Sequence, residues 1–128
     1  MGRRDPRLYL FDAWHACRLA RRFARGATLD GFIGDALLRS AVERQLEIVG
    51  EALARASVVA PELQSEVTDV ASVIAFRNRL AHGYFQIDPS LVWDALTNDV
   101  PGLQRELARA LRLRDPAVAL PAEEEDDA

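Results

Sequence analysis

At 128 residues, 49% of them hydrophobic, the chain has room for one core and too little length for two ordinary domains. Its 20 acids outnumber 16 basic residues for a formal charge of −4, yet five of those acids form the run Glu123–Glu124–Glu125–Asp126–Asp127, so residues 1–122 are close to neutral. Every one of the 16 is arginine, which excludes Schiff-base, P-loop and Ser–Lys chemistry, and the lone Cys17 excludes an internal disulfide.

Ala and Leu dominate while β-branched and aromatic runs are scarce, so the expected fold is all-α. No stretch approaches the roughly 18 apolar residues of a membrane span, no secretory leader pattern follows Met1, and no Cys/His cluster has metal-ligand spacing. These features predict a cytoplasmic chain with neither metal nor membrane anchor.

The first helix is expected over Pro6 to Arg25, with Leu10, Ala13, Trp14, Cys17, Ala20 and Ala24 on one stripe and Gly26 as its stop. Seven arginines against two acids in residues 1–25 make this end basic, either a solvated face or an attractor of polyanions. His15 reads as a partly buried, hydrogen-bonded structural residue. Thr28 to Gly34 reads as a connection in which Leu29, Phe32 and Ile33 pack down.

A longer helix follows from about Asp35 to Ser57, with Leu38, Val42, Leu46, Val49, Leu53 and Ala56 inward. Gly50 inside it costs up to about 1 kcal/mol against alanine, and close approach by another helix is the compensating cause expected. Thr68 or Asp69 can cap a third helix that carries Val70, Val73, Ile74 and Leu80 inward and stops at Gly83. Asp88–Pro89 restarts the chain as a capped helix bearing Val92, Leu96, Val100, Leu103, Leu107 and Leu111, which Pro101–Gly102 should bend or split. A helical domain over 1–114 and an acidic, unstructured tail over 115–128 complete the expected organisation. The acidic run has two readings, a solubilising tail or a mimic of nucleic acid laid over the basic surface.

The chemistry concentrates in Arg77–Asn78–Arg79–Leu80–Ala81–His82–Gly83–Tyr84, at the end of the apolar run Val70–Phe76. Histidine can accept and donate a proton, and arginine can neutralise a phosphorane, so this set suits cleavage of RNA by its own 2′-hydroxyl. Asn78 and His82 share a helix face at i, i+4, whereas Arg77 and His82 stand about 140° apart. Two such helices around a two-fold axis would pool the side chains. His82 has a plainer reading, a histidine favoured at a helix C-terminus.

Arg77-x4-His82-x-Tyr84, preceded by Val42–Glu43–Arg44–Gln45–Leu46–Glu47–Ile48–Val49–Gly50–Glu51–Ala52 and followed by Asp88–Pro89–Ser90–Leu91–Val92–Trp93, resembles the HEPN superfamily, in particular its HepT-like toxins, over about residues 8 to 112. The resemblance implies an antiparallel four- to five-helix bundle that forms a homodimer and acts as a metal-independent endoribonuclease without a cofactor, on an RNA such as tRNA or mRNA. It implies Arg77 and His82 as the catalytic pair and Asn78 in support. From the residues themselves, Arg79 reads as a surface or RNA-contacting residue, and Glu47 either orients the motif arginines or lies on an exposed helix face. Glu51, at i, i+4 from Glu47, is a further candidate to orient the motif arginines. The resemblance further implies a type VII-like toxin-antitoxin pairing, in which an MntA-like minimal nucleotidyltransferase silences the toxin by transferring AMP to Tyr84. The alternative is a non-catalytic HEPN adaptor that binds nucleotide or a nucleotidyltransferase partner.

Overall fold

The computed structural model describes residues 5–82 and 87–122, and these residues contain helices and no strand. Helix α1 spans Pro6–Phe23, α2 Leu29–Ile33, α3 Ala36–Val59, α4 Leu63–Glu66, α5 Val70–His82, α6 Pro89–Asp94 and α7 Val100–Arg114. The all-helical bundle expected from composition is the fold observed.

Local chemistry explains most helix starts. Asp5 caps α1 through its side chain to the Arg7 amide, with Pro6 in the first turn; Asp35 caps α3 through the Leu38 amide; and Asp88 caps α6 through the Ser90 amide, followed by Pro89. α1 ends at Phe23, shortly before Gly26 takes a positive φ of 78°. Asp69 stands at φ 55° ahead of α5 and accepts from both the amide and the hydroxyl of Ser72. Thr68, the other candidate cap, instead bonds across to α7: its amide and hydroxyl reach the Glu106 carboxylate at 3.0 and 2.7 Å.

α3 is the centre of the bundle, packed against α1 on one side and α5 on the other, and α7 closes on α1. Leu10, Ala13, Trp14, Cys17 and Ala20 of α1 meet Val42, Leu46, Val49, Leu53 and Ala56 of α3, while Leu107, Ala108 and Leu111 come from α7. Each fully buried leucine contributes about 1.5–3 kcal/mol through removal of apolar surface from water. Burial also pushes the Cys17 thiol up to about 12, so it serves as packing.

α5 is the thinly covered member. Only Val70 is fully buried, and Val73, Ile74, Phe76 and Leu80 are half-buried, because its main packing is onto α3.

Between α6 and α7 the backbone widens into a π-helical turn, Ala95–Asp99, in which the Val100 amide reaches the Ala95 carbonyl. Pro101 has no amide to donate to the preceding turn, and the wider turn carries the chain past it. The bend expected at Pro101–Gly102 therefore takes the form of a change of helical register.

Several expectations need correction. The 28–34 connection contains a one-turn helix, and it buries only Phe32, whose ring lies 5.3 Å from that of Trp93, while Leu29 and Ile33 stay exposed. One turn presents one narrow face to the core, which excludes its flanking residues. α4 forms where only a connection at Pro61 was expected. His15 is exposed and stacked on Phe11 at 5.8 Å, not partly buried and hydrogen-bonded, because it falls just outside the α1 stripe. Beyond α7, residues 117–122 carry no helix, yet Val118 and Leu120 lie half-buried against the core. The acidic run 123–127 lies outside the described residues.

Candidate active site

The site is built where α5 crosses α3, and Gly50 makes the crossing possible. A Cβ at Gly50 would lie 2.2 Å from the Arg77 Cβ and 2.7 Å from its Cγ, distances no pair of carbons tolerates. The absence of a side chain lets the aliphatic stem of Arg77 lie flat on the α3 backbone. The close approach expected from Gly50 is thus observed, and it is made by the motif arginine itself.

The position of the stem fixes the guanidinium. Its Nη1 donates to the Asn78 Oδ1 at 2.8 Å, and its Nη2 lies 3.8 Å from the Glu51 Oε1. The Nε–H is buried and has no hydrogen-bond partner, while the side chain as a whole keeps 30% exposure. An unsatisfied donor on a half-open guanidinium is costly without an acceptor, and an anionic oxygen is the acceptor such a fork binds best.

Glu51 is shared, since Arg44 Nη1 lies 3.8 Å from the same oxygen and also donates to Glu47 Oε2 at 3.2 Å. Glu47, Arg44, Glu51 and Arg77 therefore form a chain of alternating charge along α3 that ends on the motif. Of the two α3 acids, Glu51 faces Arg77, and Glu47 acts one step removed, through Arg44. Arg44 had no assigned role from sequence, although its i+3 and i+7 spacing to two acids signals such a network.

His82 is exposed in the last described turn of α5. No hydrogen bond or ion pair joins it to Arg77 among the described residues, in keeping with their angular separation on the helix. Asn78 shares the face of His82, but its amide oxygen is engaged by Arg77. Arg79 is exposed in the same last turn. Tyr84 lies outside the described residues.

α5 presents a second, outward stripe: Ala71, Ala75, Asn78 and His82 fall at i, i+4, i+7 and i+11 and are all exposed. Two alanines followed by two polar motif residues make a low surface over which another helix could pass closely.

Among the described residues no three His, Cys, Asp or Glu side chains gather as a metal site, and no helix is long and apolar enough to cross a membrane.

A family model described as "Ribonuclease HepT-like" matches residues 14–110, from α1 to near the end of α7. A putative RNase of Methanocaldococcus jannaschii is 30% identical over 109 residues, covering 84% of this chain and 97% of that protein. A putative RNase of Caldanaerobacter subterraneus subsp. tengcongensis is 27% identical over 109 residues, covering 85% and 96%. A probable ribonuclease HepT of Thermococcus cleftensis is 30% identical over 102 residues, covering 80% and 92%. No solved structure gives a significant match to the chain.

Proposed function

The chain belongs to the HepT-like ribonuclease family, and from that premise we propose that it is a metal-independent endoribonuclease acting as a homodimer, with Arg77 and His82 as its catalytic pair. Arg77 carries the proposal. Its stem is held by Gly50, its fork is oriented by Glu51 and Asn78, and its buried Nε–H lacks an acceptor.

In the reaction, His82 takes the proton of an RNA 2′-hydroxyl as that oxygen attacks the adjacent phosphorus. The P–O5′ bond breaks, the 5′-oxygen leaves with the proton that the His82 imidazolium returns, and a 2′,3′-cyclic phosphate remains. Arg77 binds the non-bridging oxygens as their charge grows, and Asn78 keeps the guanidinium plane aimed.

Homodimerisation supplies what one chain lacks. The low stripe Ala71–Ala75–Asn78–His82 supports a packing of α5 against its symmetry mate, which would bring the His82 of one protomer toward the Arg77 of the other. In the cytoplasm the enzyme would be the toxin of a type VII-like pair, on a tRNA or mRNA. An MntA-like minimal nucleotidyltransferase would neutralise it by transferring AMP to Tyr84, where a bulky anion would repel the substrate phosphate.

Purified protein should cut RNA in EDTA and leave 2′,3′-cyclic ends. Arg77→Ala should lower kcat by about 10²–10³-fold with a smaller change in KM. His82→Ala that folds normally and cuts as fast as the parent overturns the assignment. The separation of Arg77 from His82 within one chain also suits a non-catalytic adaptor, which would bind RNA or nucleotide in the same assay without cleaving.

A further inference from the structure

A second charged surface lies away from the α5 motif. On α7, Arg105, Arg109 and Arg112 recur at i, i+4 and i+7, all exposed, and together with Trp14, Pro121 and Ala122 they line a cleft of about 500 Å³. Arg114, two residues past the end of this row, is saturated by Glu62 and Glu66. Arg109 and Arg112 make no ion pair or hydrogen bond among the described residues.

The chain returns to this surface after leaving α7. Val118 and Leu120 pack half-buried on the core, and Pro121 and Ala122 form part of the cleft wall, so the described chain ends beside the arginines. The next five are Glu123, Glu124, Glu125, Asp126 and Asp127. Five extended residues reach about 17 Å, and the row from Arg105 to Arg112 is about 10 Å long on a helix. Position, length and charge all match.

We infer that the α7 arginine row is a polyanion site, occupied in the RNA-free protein by the chain's own acidic run 123–127, which an RNA backbone must displace to bind there. The RNA part rests on the ribonuclease reading above; the docking of the acidic run does not. Five carboxylates on a tether imitate the charge spacing of a short phosphate chain, and the tether gives them a high effective concentration over the row. A polyanion that binds must release them, so the run raises the threshold for weakly held strands.

The test measures binding without cleavage, by fluorescence anisotropy with a 2′-O-methylated RNA strand and with inorganic polyphosphate. Four proteins are compared: the full chain, truncation after Ala122, Arg109→Gln/Arg112→Gln, and the combination, each checked for folding by circular dichroism. Truncation should tighten both ligands at least about five-fold at low salt, and steepen the log–log salt dependence by about 1.4, as expected for Arg109 and Arg112 at about 0.7 each. In the Arg109→Gln/Arg112→Gln background truncation should gain almost nothing.

No tightening, or equal tightening in both backgrounds, overturns the docking, since the run would then act only through net charge. Tightening for polyphosphate alone overturns RNA as the competing ligand. Failure of the ribonuclease reading shows separately, as a parent protein that leaves unmodified RNA intact.

Discussion

Gly50 shows how a residue with no side chain can fix the position of an arginine on a neighbouring helix. Gly50→Ala would place a methyl group 2.2 Å from the Arg77 Cβ, and α5 would have to lift from α3. The expected cost is about 1–3 kcal/mol in urea denaturation, with a fall in RNA cleavage larger than the loss of folded protein explains. Cys17 gives the opposite case, a reactive group made inert. With its thiol pushed up to about 12 by burial, alkylating reagents at pH 8 should label it only after denaturation, as mass spectrometry would show. At this scale the sequence announced the close approach at Gly50, because a glycine inside an apolar helix calls for one. It did not reveal that Asn78 engages the arginine in preference to the histidine, nor that Arg44 and Glu51 extend the network. Those contacts depend on which face of α3 meets α5, and that is set by packing.

Among the elements, α1, α3 and α7 were legible nearly to their ends, since each has a long apolar stripe and a capping residue or proline. The one-turn helices α2 and α4 were not, because a single turn has no period to read. α4 nevertheless ties the bundle together. Arg114 grips Glu66 through two parallel hydrogen bonds of 2.7 and 2.9 Å and reaches Glu62 at 3.0 Å, joining α4 to the end of α7. Arg114→Ala should cost about 1–2 kcal/mol, read as a lower urea midpoint. The same bonds make stability depend on acid. The hydrogen bonds from Arg114 hold the Glu66 carboxyl below the ordinary glutamate range, and those from the Ser90 amide and hydroxyl hold the Asp88 carboxyl below the ordinary aspartate range. Groups with depressed folded values contribute stability above their unfolded values and lose it as pH falls through the folded ones. The urea midpoint should therefore hold steady at neutral pH and drop once the pH goes below about 4.5, with a shallower drop in Arg114→Ala.

For the whole molecule the all-helical bundle followed from composition and periodicity, whereas the homodimer proposed above rests on the angular separation of Arg77 and His82 and on family likeness. Composite sites make a sharp prediction. Arg77→Ala and His82→Ala, each inactive alone, should regain activity when co-refolded, because the mixed dimer has one site with both residues intact. Two sites each confined to one chain would stay dead, and a cleavage assay on the mixture distinguishes the cases. Connectivity between the halves has a further consequence through the π-helical turn at Ala95–Asp99. That turn holds one more residue than an α-helical path would need, so it acts as a phase setter for everything after it. Removing a single residue there would advance α7 by about 100°. Leu107 and Leu111 would leave the core and the row of Arg105, Arg109 and Arg112 would swing off its cleft, so one deleted codon would misplace a helix whose own fifteen residues are unaltered.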